Sequence, residues 1–559
     1  MMWLALGLSC DATPDTALVV IEDIGDIVSL RVEPDALVVY AGPGEPFEQQ
    51  FIAYATLADG TELPIDLVQW GSSNESAGLI DSDGWFASVE TNGGVTEISA
   101  QTFTHEAVAR VQVIYTEDIA YGDVNPAMID AFNGVDSFNG NGPRIVYPGD
   151  GVRVPRNLEG LAFMWDDDNG HNAYRIRLRS EITDVSLYVK ATEWLSVGAD
   201  LWELISAANR DGRVDVVVQS GIWDGATLTS PRTGDAIELV VNRLDARGSV
   251  LYWAGADSGI MRIPFGAESA ELFWKGKTGE QCVGCHIVSN ATGRMVVNHD
   301  GINGVFSTVD VSDSTNPQQT VDPNDSNRIS FKAMTPDGQY FVASNFGLLS
   351  LWRVNDGKRE KTYSTGQRLY THPDFHPDGD RFVAVEFKAL QGVNNEFQFT
   401  KGRIVVVPFD PTTLELGTPS VVVDYAGNTN NYYPAWSPTG EWIAYNRAEG
   451  RPYANREAEL WLVNEDGSTN IELTTANQKA NNQNSYAKWG PLPDDNVLWL
   501  AFSSSRVYPP SGTQEMPNIW ISAIDEELAA QGVDPSSEAF WLPGQVRNSD
   551  NHLPVWWDQ

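Results

Sequence analysis

The sequence predicts an all-β chain, with two N-terminal β-sandwich domains followed by a six-bladed β-propeller. Three observations carry this expectation. Short runs alternate apolar and polar residues with period two between Gly, Asp and Pro punctuation. From about Gly248 a four-strand unit recurs about every forty to sixty residues. The last nine residues, NHLPVWWDQ, supply the one strand that the first of those units lacks.

At 559 residues the chain is too long for one core. Hydrophobic residues make up 42%, with 19 Trp, 18 Tyr and 21 Phe, so burial is ample and a disordered chain is excluded. Charge is lopsided: 36 Lys plus Arg face 76 Asp plus Glu, a net of -40. Such a surface repels phosphate backbones and anionic lipid heads, which argues against nucleic acid and steers basic partners inward.

Residues 1–10, MMWLALGLSC, are apolar, too short to span a bilayer, and end in small residues before a cysteine. The stretch resembles the tail of a bacterial lipoprotein signal, which implies lipidation at Cys10. It departs from that pattern in lacking a basic start and in carrying Gly7 where Leu is usual. Residues 11–27 are acidic and aperiodic, as in a tether. An exported chain is the expectation, in the periplasm, at the outer membrane or on the cell surface, with the membrane touched only through the lipid.

Residues 28–116 read as short strands, among them LRVEP, LVVYA, QQFIAYATLADG and VARVQVIY, spaced as in a small sandwich. ADGTELP, VQWGSSN and LIDSDGWFAS resemble bacterial immunoglobulin-like modules, which implies a spacer or adhesion role. Residues 117–142 hold the Gly- and Asn-rich FNGVDSFNGNGP and read as a linker. Residues 143–243 read as a second sandwich, similar to fibronectin-type modules, with Trp165 in its core. The acidic turn Asp166, Asp167, Asp168 has hard oxygen ligands but neither the alternating spacing nor the distal Glu of a calcium loop, so a solvated turn is the expectation.

Residues 244–559 form the propeller. FKAMTPDGQYFVAS, PDFHPDGDRFVAVE and PAWSPTGEWIAYNR each pair a short strand, a Pro-Asp-Gly-type turn and an apolar strand. Third and fourth strands follow, such as AELWLVN and NIELTT, which is the content of a propeller blade. The repeats resemble those of the periplasmic Tol-system propeller protein. YAKWGPLPDDNVLWLAFSSS and CHIVSNATGRMVVNHDG are more divergent copies. The strands VLYWAG, IMRIPF and AELFW have no inner strand ahead of them, so Leu553–Trp557 is expected to complete that blade and close the ring.

Chemistry concentrates in QCVGCHIVS, where Cys282, Cys285 and His286 stand as C-x-x-C-H. On one helical turn the two thiols would reach the vinyl groups of a haem and the imidazole its iron. A structural zinc site wants four ligands, and no second cysteine pair exists among the chain's 3 Cys. A thioredoxin-like pair belongs near a βαβ pattern, and the surroundings read as strands. One covalent haem c is therefore the expected cofactor, with Cys282 and Cys285 holding it and His286 as proximal ligand.

The template places His372 and His552 at blade starts like that of His286, making either the distal ligand. Met295 and Met334 fall where strand side chains pack, and His376 falls in an exposed turn. From Pro143 onward the order of elements resembles a group of exported propeller proteins with an embedded haem motif, found in predatory and social soil bacteria. The resemblance implies no established reaction. Two functions remain open: electron transfer at the cell envelope, with a basic redox partner, or a binding and scaffold module for a glycan, peptide or protein, with haem as sensor or staple. A haem enzyme would need an open distal position and is the weaker expectation.

Overall fold

The computed structural model describes residues 27–276, 282–388, 396–479, 481–492, 497–507, 516–547 and 549–559. Cys10 and the signal expected over residues 1–10 lie outside the described residues. The chain forms two compact units, one ending at Tyr115 and the other beginning at Thr116.

The first unit is a sandwich of short strands. Ile27–Glu33 pairs antiparallel with Ile52–Leu57, which pairs with Glu62–Ile65. Gly94–Gln101 lies antiparallel to Glu106–Ala120, and Ala36–Ala41 joins the latter in parallel. Alternation puts Ile98, Ala100, Val111 and Val113 inside with Phe51 and Phe86. The Asp-Gly turn closes because the Asp59 carboxylate accepts from Thr61 N at 2.8 Å and Gly60 takes a φ of +86° that suits glycine.

The second unit opens with a departure from the sequence reading. Within residues 117–142, expected as a linker, Pro126–Asn133 is an α-helix, N-capped by Asn125 with Pro126 in its first turn. Met128 and Phe132 pack on Ala173, Tyr188 and Trp223 of the second sandwich. Eight residues are too few for a visible helical period, so the joint's glycines dominate the pattern.

In that sandwich Ala173–Arg179 sits between Thr183–Lys190 and Arg213–Trp223, with Trp165 almost wholly buried. The acidic turn is used locally. Asp166 pairs with Arg144, while the Asp167 carboxylate lies 3.1 Å from His171 Nδ1 and accepts from Asn169 N.

Six antiparallel sheets follow as blades, each built on a path of four strands. Their inner strands are Asn551–Trp557, Val283–Ser289, Lys332–Met334, Leu369–Phe375, Thr429–Trp436 and Ser485–Trp489. The C-terminal strand pairs with Ser249–Ala254, placing Trp556 opposite Val250 and Trp557 opposite Ser249. Ring closure by the last strand is thus observed, and it supplies the innermost strand of blade one. The Pro-Asp-Gly turns work as their residues dictate: Gly338, Gly379 and Gly440 all hold φ between +68° and +76°. The second sandwich packs on blade six, with Tyr147 edge-on to Trp520 at 6.1 Å and its hydroxyl accepting from Trp541 N.

Candidate site at the propeller channel

Five of the six inner strands share a defect that builds the site. Their ladders break between Gly284 and Ile287, Thr371 and Asp374, Tyr432 and Ala435, and Ser485 and Lys488. At each break a non-glycine residue takes positive φ: Cys285 (+38°), His372 (+51°), Tyr433 (+49°) and Tyr486 (+57°). Leu553, at +53°, does the same in the closing strand. Such bulges leave a residue unpaired and re-aim its side chain, and left-handed backbone costs on the order of 1 kcal/mol or more for a non-glycine residue. All six inner strands then contribute to a narrow cavity of about 80 Å³ on the propeller axis, lined by Cys285, His286, Lys332, His372, Tyr433 and Tyr486 among others.

This register corrects two expectations. The C-x-x-C-H segment is not a helical turn. Val283–Ser289 is a strand paired to Arg294–His299 of the same blade, and that ladder engages the backbone groups a helix would need. Nor do the three histidines occupy one position. Aligned on the bulge, His372 matches Cys285 and His552 matches Gly284, whereas His286 matches Pro373 and Pro554.

A second cavity, of about 170 Å³, adjoins the first and shares Cys285, Tyr486 and Leu553 with it. Cys282 and His552 line it beside the rings of Trp253, Phe397 and Tyr453. Both cysteines are free thiols. Burial raises the pKa of each, opposed by a Trp253 hydrogen bond at Cys282 and by the Lys332 charge at Cys285. At the other end of the channel lies a more open funnel of about 470 Å³, where the Asp374–Lys488 ion pair stands among turn residues.

His286 is 4% exposed, and neither ring nitrogen makes a hydrogen bond of good geometry, although the Leu251 backbone lies close enough to act on the ring. Burial, then the Lys332 charge, pushes its pKa down to about 3. Lys332 is itself buried and lowered to about 8 by desolvation, and its ammonium donates to the Cys285 carbonyl and to Asn298 Oδ1.

His372 is wedged between Phe331 and Tyr433, with ring centroids at 4.1 and 4.2 Å. Its Nδ1 accepts from Tyr433 N at 3.3 Å, and its Nε2 is unpartnered. His552 Nε2 sits 2.8 Å from the Asp550 carboxylate, leaving Nδ1 unpartnered. A carboxylate on one ring nitrogen orients an imidazole for metal binding through the other.

The donor set therefore fits a c-type haem in kind: two free thiols and an oriented imidazole, His552, on one aromatic-walled cavity, and a second, buried imidazole, His286, on the adjoining one. The volume sets a limit. Cavities holding whole organic ligands run about 300–1,000 Å³, so the thiol-lined space takes an edge of a macrocycle and not its whole body.

One cluster among the described residues groups metal-type ligands, His376, Asp378 and Asp380. The turn motif predicts an exposed His376; the residue is instead buried under Trp436 because the turn folds onto the next blade. Its Nδ1 accepts from Asp378 N and its Nε2 lies 2.8 Å from Arg381 Nη2. Both nitrogens are engaged, which leaves none for an ion.

No family model and no curated protein matches the chain. Solved structures similar to part of it include a candidate TolB from Agrobacterium tumefaciens, 15% identical, covering 53% of this chain and 89% of that one at a TM-score of 0.33. A nidogen–laminin complex is 8% identical over 53% of this chain and 99% of that one, with a TM-score of 0.34. An oligogalacturonate lyase in complex with manganese is 16% identical over 51% and 73%, at 0.30. At these scores the similarity carries no functional argument, and the propeller rests on its strand pairing.

Proposed function

We propose that the chain is an exported c-type haem protein acting in electron transfer at the cell envelope. The observation that carries this reading is that two free thiols line one cavity with His552 while the buried His286 lines the adjoining one, its ring nitrogens without a hydrogen bond of good geometry. An unpaired polar group at that depth costs on the order of 1–3 kcal/mol, which a bound iron would relieve. The haem would supply reversible one-electron chemistry at its iron. Cys282 and Cys285 tether it, His286 ligates it, and the aromatic wall excludes water.

Of the two distal candidates His552 is the better placed, since it shares a cavity with both thiols and is oriented by Asp550. His372 is already fixed by stacking and by Tyr433 N. Export, lipid attachment at Cys10 and a basic redox partner complete the proposal, the last favoured by the net charge of -40.

The test is the spectrum of haem-loaded full-length protein. A six-coordinate low-spin form that loses its sixth ligand and binds carbon monoxide in His552→Ala, but not in His372→Ala, supports this assignment. The reverse pattern assigns His372, and a carbon monoxide-reactive wild type refutes the closed carrier.

A second reading is a binding or scaffold module, favoured by the 470 Å³ funnel, which is the larger mouth of the channel. A chain that never acquires haem in a maturation-competent host would leave this reading alone.

A further inference from the structure

The seam between the second sandwich and blade six holds a cavity of about 490 Å³, a volume typical of small-molecule sites and remote from the haem motif in the chain. On its blade side is Arg506, 2% exposed. Its Nε donates to Ser504 Oγ, and its Nη2 donates to the Ala476 carbonyl and to Asn484 Oδ1. Nη1 is buried with no partner. Among the described residues no carboxylate lies within ion-pair distance of this guanidinium. Burial lowers its pKa to about 10, with Glu538 the nearest opposing charge.

A buried charge without a counterion is expensive, so the missing partner is a question the fold leaves open. Hydrophobic packing does not answer it: the guanidinium lies over the rings of Phe502 and Trp520 at 5.2 and 4.9 Å, and those contacts leave Nη1 free.

Glu538 lines the same cavity and is the complementary feature. Its carboxylate accepts from Gln478 Nε2 at 3.0 Å, and its carbon stem fills the space beside Gly149, where a Cβ would sit 2.9 Å from it. Burial holds its pKa above the ordinary carboxylate value. The whole lining is balanced, with Arg144, Lys479 and Arg506 against Asp166, Glu193 and Glu538. A simple anion would meet three carboxylates, and a simple cation three basic groups. Trp165 and Tyr147 add apolar wall.

We infer that this seam binds a small zwitterion, a free α-amino acid or a short peptide, whose carboxylate pairs with the Arg506 guanidinium and whose ammonium faces Glu538. The site joins sandwich to propeller, so its occupancy also clamps the two together.

The test uses full-length protein, with Gly-Leu dipeptide and free leucine as zwitterionic probes, and acetate and methylammonium as single-charge controls. Tryptophan fluorescence reports on Trp165 and Trp520, and thermal melting reports on the clamp. The expected result is a saturable fluorescence change and a raised Tm with a zwitterion. Affinity should fall about tenfold or more in Arg506→Gln and in Glu538→Gln, as expected when a charge-assisted hydrogen bond is lost. Should Arg506→Gln fail to fold, Glu538→Gln and Trp165→Phe, the latter shifting the fluorescence signal, carry the test. Absence of any response to the zwitterions overturns the inference. So does equal binding of acetate, or an unaltered affinity in Glu538→Gln.

Discussion

Blades two and five are built on one backbone and filled for different ends. Each inner strand bulges at the same place and turns a left-handed residue toward the axis, Cys285 in one and Tyr433 in the other. In blade five the result is saturated with contacts: Tyr433 meets Phe331, His372, Tyr432 and Tyr486 within 6 Å. In blade two the following residue is His286, buried and without a ring hydrogen bond of good geometry. The contrast separates packing from provision. A buried imidazole beside two thiols, without a hydrogen bond of good geometry, is a position able to take a ligand.

The largest effect should come from the closing strand, which carries the same bulge at Leu553. Deleting Asn551–Gln559 removes the buried Trp556 and Trp557 and reopens blade one. Two buried aromatics are worth on the order of 3–5 kcal/mol each, so differential scanning calorimetry should show loss of the cooperative transition or a fall in Tm above about 10 °C. An unchanged melt would mean that the ring does not depend on its clasp.

The sharpest form of the comparison is a pair of substitutions in the haem-free chain. Tyr433→Ala should destabilise by about 3–5 kcal/mol in chemical denaturation, because its ring contacts have no replacement. His286→Leu should be neutral or stabilising by about 1 kcal/mol, since it removes unsatisfied nitrogens and fills the same space. Equal losses at both positions would erase the distinction between packed and reserved blades.

Acid should act through the same histidines. His286 and His372 are held neutral when folded, with pKa values depressed by burial, to about 3 for His286. The unfolded chain protonates near pH 6.5, so it binds more protons below that pH and stability present at pH 7 is lost as the pH falls. His286 should cost about 2 kcal/mol by pH 5, and His372 adds to the loss in the same direction. Replacing His286 with Leu should flatten that slope in urea titrations between pH 7 and 5, and a parallel slope would contradict the burial argument.

The smallest effect is kinetic. Reduction of the haem-loaded chain by a cationic mediator should slow with added salt, and reduction by an anionic one should quicken, each within about tenfold, because exposed charges are screened.

Much of this architecture is legible in the amino-acid sequence itself. The Pro-Asp-Gly turns announce glycines that need left-handed φ, as Gly338, Gly379 and Gly440 show. NHLPVWW announces an inner strand without a hairpin partner. Cys282, Cys285 and His286 announce themselves by spacing. The bulge register is not legible, because period-two alternation is blind to one unpaired residue, and so the histidines look equivalent in sequence although they stand at three successive positions. The helix at Pro126–Asn133 is hidden by the glycines around it. Arg506 leaves no signal at all, since one arginine after a strand reads as surface until the sandwich is docked beside it.

The central claim is that Cys282 and Cys285 hold a haem. Intact-mass spectrometry of the full chain, produced with a bacterial cytochrome c maturation system and paired with a pyridine haemochrome spectrum, tests it most directly. Wild-type protein should carry a mass increased by one haem that survives denaturation and is absent from Cys282→Ala/Cys285→Ala. A wild-type chain emerging from that host at its apoprotein mass, with both thiols free, would contradict it.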